Sequence, residues 1–216
     1  MFFTLWKLVA QGKTPLRALM NLALRDHTLS PGITVDLGGG NNPSYLGYLK
    51  GVEATTFVNL DTQFGEGANA AIDFEKDALP YEDGSVDQVL MLNILEHIYN
   101  HRFFVGESFR ILKPGKTVIG FVPFLINYHA DPHDYFRYTH EALERIFTDA
   151  GFKSVDIRTL GGGPFLLNFN TIACFVPRQI TMLLWPFYYA LDVLVLRLRP
   201  ALRKRFPLGY IFVLTK

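Results

Sequence analysis

Short apolar runs recur along this chain, separated by stretches with helical spacing, and that rhythm restricts the fold more than any other feature. Val86–Leu92 (VDQVLML) is nearly continuous in apolar character, as suits a strand buried on both faces. Ile33–Leu37, Thr55–Leu60, Thr117–Val122, Lys153–Thr159 and Tyr210–Leu214 read as further strands, and Ala70–Ile72 as a weaker one. A helix ending near His27, a helix over Phe103–Leu112 that stops at the Lys113-Pro114-Gly115 turn, and a helix capped by Thr139 and closed before Gly151 fill the intervals. Strands alternating with helices predict an α/β fold with a doubly wound, mostly parallel sheet. Phe165–Leu198 breaks the rhythm: it is long, apolar and aromatic where a short crossover would serve. It reads as a C-terminal hydrophobic helical insertion before the last strand.

At 216 residues the chain holds one domain (residues 1–216), with an N-terminal helical segment over residues 1–30 and a hydrophobic, basic insertion over residues 165–205. A hydrophobic share of 49% against 19% charged residues excludes a disordered chain. Cys174 is the only cysteine, which excludes an internal disulfide framework or a cysteine-built zinc site and suits a reducing, cytoplasmic setting. Met1–Ala10 is apolar but broken by Lys7, with no small-residue cleavage site after it, so it reads as an amphipathic helix rather than a secretory signal. The net charge of +1 conceals a division: residues 165–216 carry seven basic side chains against Asp192 alone, while the rest is acidic. The basic region suits an anionic surface.

Val35-Asp36-Leu37-Gly38-Gly39-Gly40-Asn41-Asn42-Pro43 puts glycines at the carboxyl end of the first strand, where open sheets bind ligands. A tight strand-to-helix turn is the plainer alternative. Pro43 stands where a dinucleotide loop needs its third glycine, and Asp36 suits a cationic ligand better than a phosphate. Asp61, 25 residues after Asp36 and closing the second strand, can accept protons from both ribose hydroxyls. A longer run follows, from Asp73-Phe74-Glu75-Lys76-Asp77 through Leu79-Pro80-Tyr81 and Ser85-Val86-Asp87 to Leu92-Asn93-Ile94-Leu95-Glu96-His97.

This run, with the glycine loop, Arg110–Gly115 and Asp149-Ala150-Gly151-Phe152, resembles the class I S-adenosylmethionine-dependent methyltransferases over roughly residues 33–160. The resemblance implies their Rossmann-like fold and S-adenosylmethionine as cofactor. It further implies that Asp36, Gly38 and Gly40 line the methionine part and that Asp61 holds the ribose. Asp73 or Asp77 would contact the adenine amino group, Asp73 being preferred because the strand should end there. Asn93, at the tip of the fourth strand, would face the reacting methyl. The loop reads GGGNNP rather than the commoner GxGxG, which leaves the role of its last glycine open.

Pro123–Thr139 (PFLINYHADPHDYFRYT) gathers two His, two Asp, an Arg and three Tyr before a helix and reads as a substrate-binding edge. It is similar to a P-x-D-Y-x-R-x-T element in a methyltransferase branch linked to cell-surface glycan or lipid pathways. His129 or His133 is the candidate base for a hydroxyl acceptor, with Asp131, Tyr135 and Arg137 as acceptor-binding residues. Two alternatives stay open. Tyr135 and Arg137 could brace the loop, and His129, Asp131 and His133, alternating on one face, could hold a divalent ion. Methyl transfer from a sulfonium requires no metal, and the site is read without one. Glu96-His97 reads as orienting the exit of the fourth strand.

Ile180–Leu198 approaches the length of a bilayer span, but Pro186, Asp192 and Arg197 interrupt it, and a span would part the last strand from its sheet. Residues 180–205 are instead expected to lie on an anionic membrane, with Trp185, Phe187, Tyr188 and Tyr189 at the interface and Arg197, Arg199, Arg203, Lys204 and Arg205 on headgroups. A core helix pair or a homodimer contact is the alternative. Nucleic acid is disfavoured, because apolar bulk outweighs interleaved basic residues. The expectation is a cytoplasmic, peripherally membrane-associated enzyme that O-methylates a small or lipid-linked acceptor in a glycan or lipid pathway. A non-catalytic membrane module that binds the cofactor and an NAD(P)-dependent oxidoreductase are the competing classes.

Overall fold

The computed structural model describes residues 2–40, 43–62, 70–161, 163–173 and 175–216. Met1, Asn41, Asn42 and Cys174, named above, lie outside them. Seven strands form one sheet: β1 (Gly32–Leu37), β2 (Thr55–Asp61), β3 (Ala70–Ala71), β4 (Val86–Leu92), β5 (Leu112–Pro123), β6 (Ser154–Gly161) and β7 (Pro207–Thr215). Their spatial order is β3-β2-β1-β4-β5-β7-β6. The pairs from β3 across to β5 are parallel, and β7 runs antiparallel between β5 and β6. The end of β6 pairs with the start of β7, Gly161 with Pro207, so the connecting segment leaves and re-enters at one edge and β7 must run backwards.

β4 is buried along its whole length because both faces of the sheet are covered. Val89 and Met91 enter one core and Leu90 and Leu92 the other; β5 divides the same way, Val118 and Val122 against Ile119 and Phe121. The first core is closed by α3 (His101–Ile111) and α4 (His140–Asp149) through Phe104, Leu143 and Phe147. The second is closed by α1 (Phe2–Ala10), α2 (Pro15–Leu24), α5 (Pro164–Ile172) and α6 (Arg178–Leu198) through Leu5, Met20, Phe169 and Trp185. The N-terminal helices and the insertion thus form one layer over one face.

Helix α6 has the length and apolar character of a bilayer-crossing helix, but it packs on the domain through Thr181, Trp185 and Asp192. Asp192 does more than interrupt an apolar stretch. Its carboxylate accepts the backbone N–H groups of Phe165 (3.0 Å) and Leu166 (2.7 Å), at the first turn of α5, where unpaired donors and the positive end of the helix dipole meet. The opposite face carries Ile180, Leu183, Phe187, Leu191, Leu194 and Leu198, all exposed, at the three- and four-residue spacing of one helical stripe.

Two local readings differ from the sequence expectation. The Lys113-Pro114-Gly115 turn does not end the helix ahead of a separate strand. It is a bulge within β5: Val86 pairs with Leu112 but Gln88 with Thr117, and Gly115 takes up the excess in a left-handed conformation (φ +74°). After the glycine loop the described residues form only 3-10 turns, at Leu46–Tyr48 and Val52–Ala54, before β2. Pro43, Gly47 and Gly51 make that segment a poor helix.

Candidate cofactor and acceptor site

The carboxyl ends of β1 and β4 mark the point where strand order reverses, and the glycine loop starts there. β2 holds the loop in place. Gly39 N–H donates to Asn59 Oδ1 (3.1 Å), Asn59 Nδ2 donates to the Gly40 carbonyl (2.6 Å), and Gly40 N–H donates to Asp61 Oδ2 (2.9 Å). A Cβ on Gly39 would lie 2.3 Å from Asp36 Oδ2, whereas one on Gly40, in left-handed conformation at φ +64°, would meet open space. The backbone is bare where a ligand can approach it.

Asp36, expected to line the methionine part, lies one layer back. It is fully buried behind Gly39 and Tyr45, and the Tyr45 hydroxyl donates to its Oδ2 while Oδ1 has no hydrogen-bond partner. Burial pushes its carboxyl up to about 7, the Tyr45 hydrogen bond opposing and the charge of Asp61 adding to the rise. In front of this layer opens a cavity of about 570 Å³, within the range of small-molecule sites. Gly38, Gly39, Gly40, Tyr45, Asn93, His97, His129 and Asp131 line it, together with Thr14, Arg17 and Met20 of the N-terminal segment.

Asn93 closes β4 with a left-handed backbone (φ +55°), a conformation that asparagine tolerates better than most side chains and that collects at functional sites. Its N–H donates to the Phe121 carbonyl, and its Nδ2 lies 3.6 Å from Met20 Sδ. Arg17 is the only arginine on the cavity wall among the described residues. Burial lowers its basicity, with Tyr45 and Glu96 pulling the other way.

Of the loop after β5, the structure brings His129 and Asp131 to the cavity and leaves His133, Tyr135 and Arg137 off its wall. Arg137 directs its guanidinium into the loop itself, bidentate to Asp134 (2.5 and 2.6 Å) with further bonds to the Phe136 and Asn127 carbonyls. This pairing pulls the Asp134 carboxyl down to about 2. The N–H groups of Tyr135 and Phe136 donate to the Glu96 carbonyl, which ties the loop to the exit of β4. The bracing alternative therefore describes Arg137 and the Tyr135 backbone. His129 lies 3.7 Å from the buried Glu96 through Nε2, and the facing Glu96 carboxylate raises its pKa against the effect of burial.

Asp61 stands at the end of β2 and also accepts from Thr62 N–H (2.7 Å). Asp73 and Asp77 build one exposed turn: Asp77 accepts the Asp73 N–H, and Asp73 pairs with Lys76 at 2.9 Å, which lowers its pKa. Neither of these two acids lines the cavity. Arg17, Tyr45 and His97 were missed as cavity residues. The available signals were a lone charged side chain in a mostly apolar helix and a histidine in the short turn that follows the fourth strand.

A doubly wound sheet with an antiparallel seventh strand, carrying a glycine loop and a buried carboxylate at its switch point, defines a Rossmann-like domain with a small-molecule cavity at that point. No α-helix follows the loop among the described residues, so a pyrophosphate would find no helix dipole there, while Asp36 suits a sulfonium. Comparison with known proteins agrees. Residues 35–120 match the family model described as a methyltransferase domain. A probable S-adenosylmethionine-dependent methyltransferase of Mycolicibacterium smegmatis is 40% identical over 45 residues, 21% of this chain and 18% of that protein, so the chain spans less than a fifth of that curated relative. A SAM-dependent methyltransferase from Archaeoglobus fulgidus superposes with a TM-score of 0.61 at 14% identity, covering 92% of this chain and 93% of that one. The [4+2]-cyclase SpnF superposes at 0.60 and 15% identity, covering 93% and 81%. Identities this low establish the fold and leave the reaction to other arguments. Residues 35–120 are thus similar to a methyltransferase domain, on a fold shared with solved S-adenosylmethionine-dependent methyltransferases.

Proposed function

We propose that this chain transfers the methyl group of S-adenosylmethionine to a hydroxyl of a small or lipid-linked acceptor, of the kind found in glycan or lipid pathways. When bound, the cofactor supplies an electrophilic methyl on sulfur, so the protein has to align two partners and remove one proton. Gly38, Gly39, Gly40 and Tyr45 would wall the cofactor's end of the cavity, with Asp36 behind them opposite its positive charge. Arg17 is assigned to the cofactor's carboxylate, Asp61 to the ribose, Asp73 or Asp77 to the adenine amino group, and Asn93 to the neighbourhood of the methyl.

The observation that carries this reading is that the glycine loop, Asn93 and His129 line one cavity, so donor and acceptor fit a single chamber. Acceptor activation centres on His129 rather than His133, and Asp131 on the same wall binds the acceptor. Tyr135 and Arg137 act by holding that loop. Calorimetric titration with S-adenosylmethionine and NADH tests the cofactor, and labelled-donor turnover on a lipid extract tests the activity. Binding of NADH alone favours the oxidoreductase; donor binding without turnover on any pool favours a non-catalytic module.

The exposed stripe of α6 and the adjoining Arg197, Arg199, Arg203, Lys204 and Arg205 support peripheral binding to the anionic cytoplasmic leaflet. Flotation with anionic vesicles should carry the chain up and Leu191→Glu/Leu194→Glu should abolish it. A wild-type chain that stays down and sediments as a dimer assigns the stripe to a second copy.

A further inference from the structure

Glu96 is wholly buried, yet neither of its carboxylate oxygens has a hydrogen-bond partner. A fold rarely keeps a buried carboxylate uncompensated. Two imidazoles face it: Nε2 of His97 and Nε2 of His129 each lie 3.7 Å from Glu96 Oε1. That separation is too long for a hydrogen bond. It lies near the spacing of about 3.3 Å between two ligand atoms that share one tetrahedral cation at bonds of about 2.0–2.1 Å. Arg17 acts on Glu96 through its charge without bonding to it.

The far nitrogens determine what the near ones carry. His97 Nδ1 lies against the His133 carbonyl, which can only accept, so Nδ1 holds the proton and Nε2 turns its lone pair toward Glu96. His129 Nδ1 lies beside the Asn127 carbonyl (3.2 Å) and the Asp134 carboxylate (3.5 Å), again acceptors. Arg137 Nη2, 3.3 Å from the same nitrogen, is already bound to both of them. Three candidate ligand atoms therefore converge within 4.8 Å of one another. Each imidazole is oriented by an outer carbonyl or carboxylate, the support that metal-bound histidines have.

We propose that Glu96, His97 and His129 bind a divalent cation of the zinc class. Two imidazoles and a carboxylate suit zinc and its neighbours rather than magnesium, and three protein ligands leave a coordination position for another molecule. His97 and His129 both line the cavity shared with Asn93 and Asp131, so that position opens on the acceptor chamber. The set differs from the alternating His129, Asp131 and His133 considered from sequence, because His133 contributes its carbonyl to His97 instead. In its consequence the site deepens the methyl-transfer reading and rests on it: an acceptor hydroxyl on the ion releases its proton to solvent more readily and presents oxygen to the methyl. His129 then acts as a ligand rather than as a free base. The existence of the site does not depend on that reading.

The test uses the untagged full chain, stripped with chelator and dialysed against Zn²⁺, with metal measured by elemental analysis and Co²⁺ as the spectroscopic probe. One equivalent per chain, and d–d bands of the intensity that low-coordinate Co²⁺ shows, are expected. Glu96→Gln and His129→Gln should each weaken binding by about 100-fold or more, and His133→Gln should leave it intact. Zn²⁺ should raise the melting temperature of the wild type but not of Glu96→Gln, which keeps the readout clear of a general folding defect. Substoichiometric metal in the wild type, or full binding by Glu96→Gln and His129→Gln, overturns the proposal. Donor titration on the same samples separates the two readings, since zinc binding without donor binding retains the site and refutes the methyltransferase.

Discussion

Replacing Gly39 by alanine probes the cofactor loop while leaving the rest of the fold in place. The new Cβ would lie 2.3 Å from Asp36 Oδ2 and 2.7 Å from Asn59 Oδ1. Neither oxygen can retreat. Asp36 is fully buried and bonded to Tyr45, and Asn59 is bonded to Gly39 N–H and the Gly40 carbonyl. The loop must therefore shift and break both Asn59 bonds, each contributing about 0.5–1.5 kcal/mol. With the steric displacement added, the bound arrangement should lose about 2–3 kcal/mol, a weakening of donor affinity by about 30–150-fold. Calorimetric titration with S-adenosylmethionine measures it. Gly106→Ala in α3, where a Cβ meets nothing within 4 Å, is the matched control and should leave affinity unchanged. Donor affinity in Gly39→Ala equal to the control, in a chain that still folds, would refute the assignment of this loop to the cofactor.

Three further outcomes are expected. The Asp36 carboxyl is raised from 3.8 to about 7, so the folded chain keeps a proton that the unfolded chain releases. Its stabilising contribution is full below the unfolded value and is lost as pH rises through about 7. Between pH of about 5 and about 8, wild type should lose about 3 kcal/mol more stability in urea unfolding than Asp36→Asn, and its donor affinity should rise over the same window as the carboxylate forms. Asp192→Ala leaves the Phe165 and Leu166 N–H groups without their acceptor and should cost about 2–4 kcal/mol, read as a drop of about 5–15 °C in melting temperature. Arg137→Met unpairs the buried Asp134 and loosens the loop that carries His129. It should lower kcat/KM by about 10–100-fold while donor affinity, measured separately, stays the same because Arg137 lies off the cavity wall.

Much of the architecture is readable along the chain because its causes are local. Burial on both faces requires a run such as Val86–Leu92, and a strand that ends in Gly38-Gly39-Gly40 announces close backbone approach. Asp192 shows how a local reading can mislead: in sequence it interrupts an apolar helix, and in space it caps another helix 26 and 27 residues away. Arg137 illustrates the same limit, since a guanidinium has the same composition whether it meets an acceptor or an aspartate three residues back.

The sequence by itself determined the strand–helix alternation, the glycine loop at the switch point and the resemblance to methyltransferase domains, because backbone propensity and side-chain burial act over a few neighbouring residues. Tertiary structure alone decided that α2 supplies Arg17 to the cavity and that one face of α6 is left bare. It also decided that Glu96, His97 and His129 meet. The pairing of β4 with β5 brings the ends of those strands side by side, so residues as far apart as Glu96 and His129 share one small volume, a proximity that follows from strand order and register and from no short stretch of the chain.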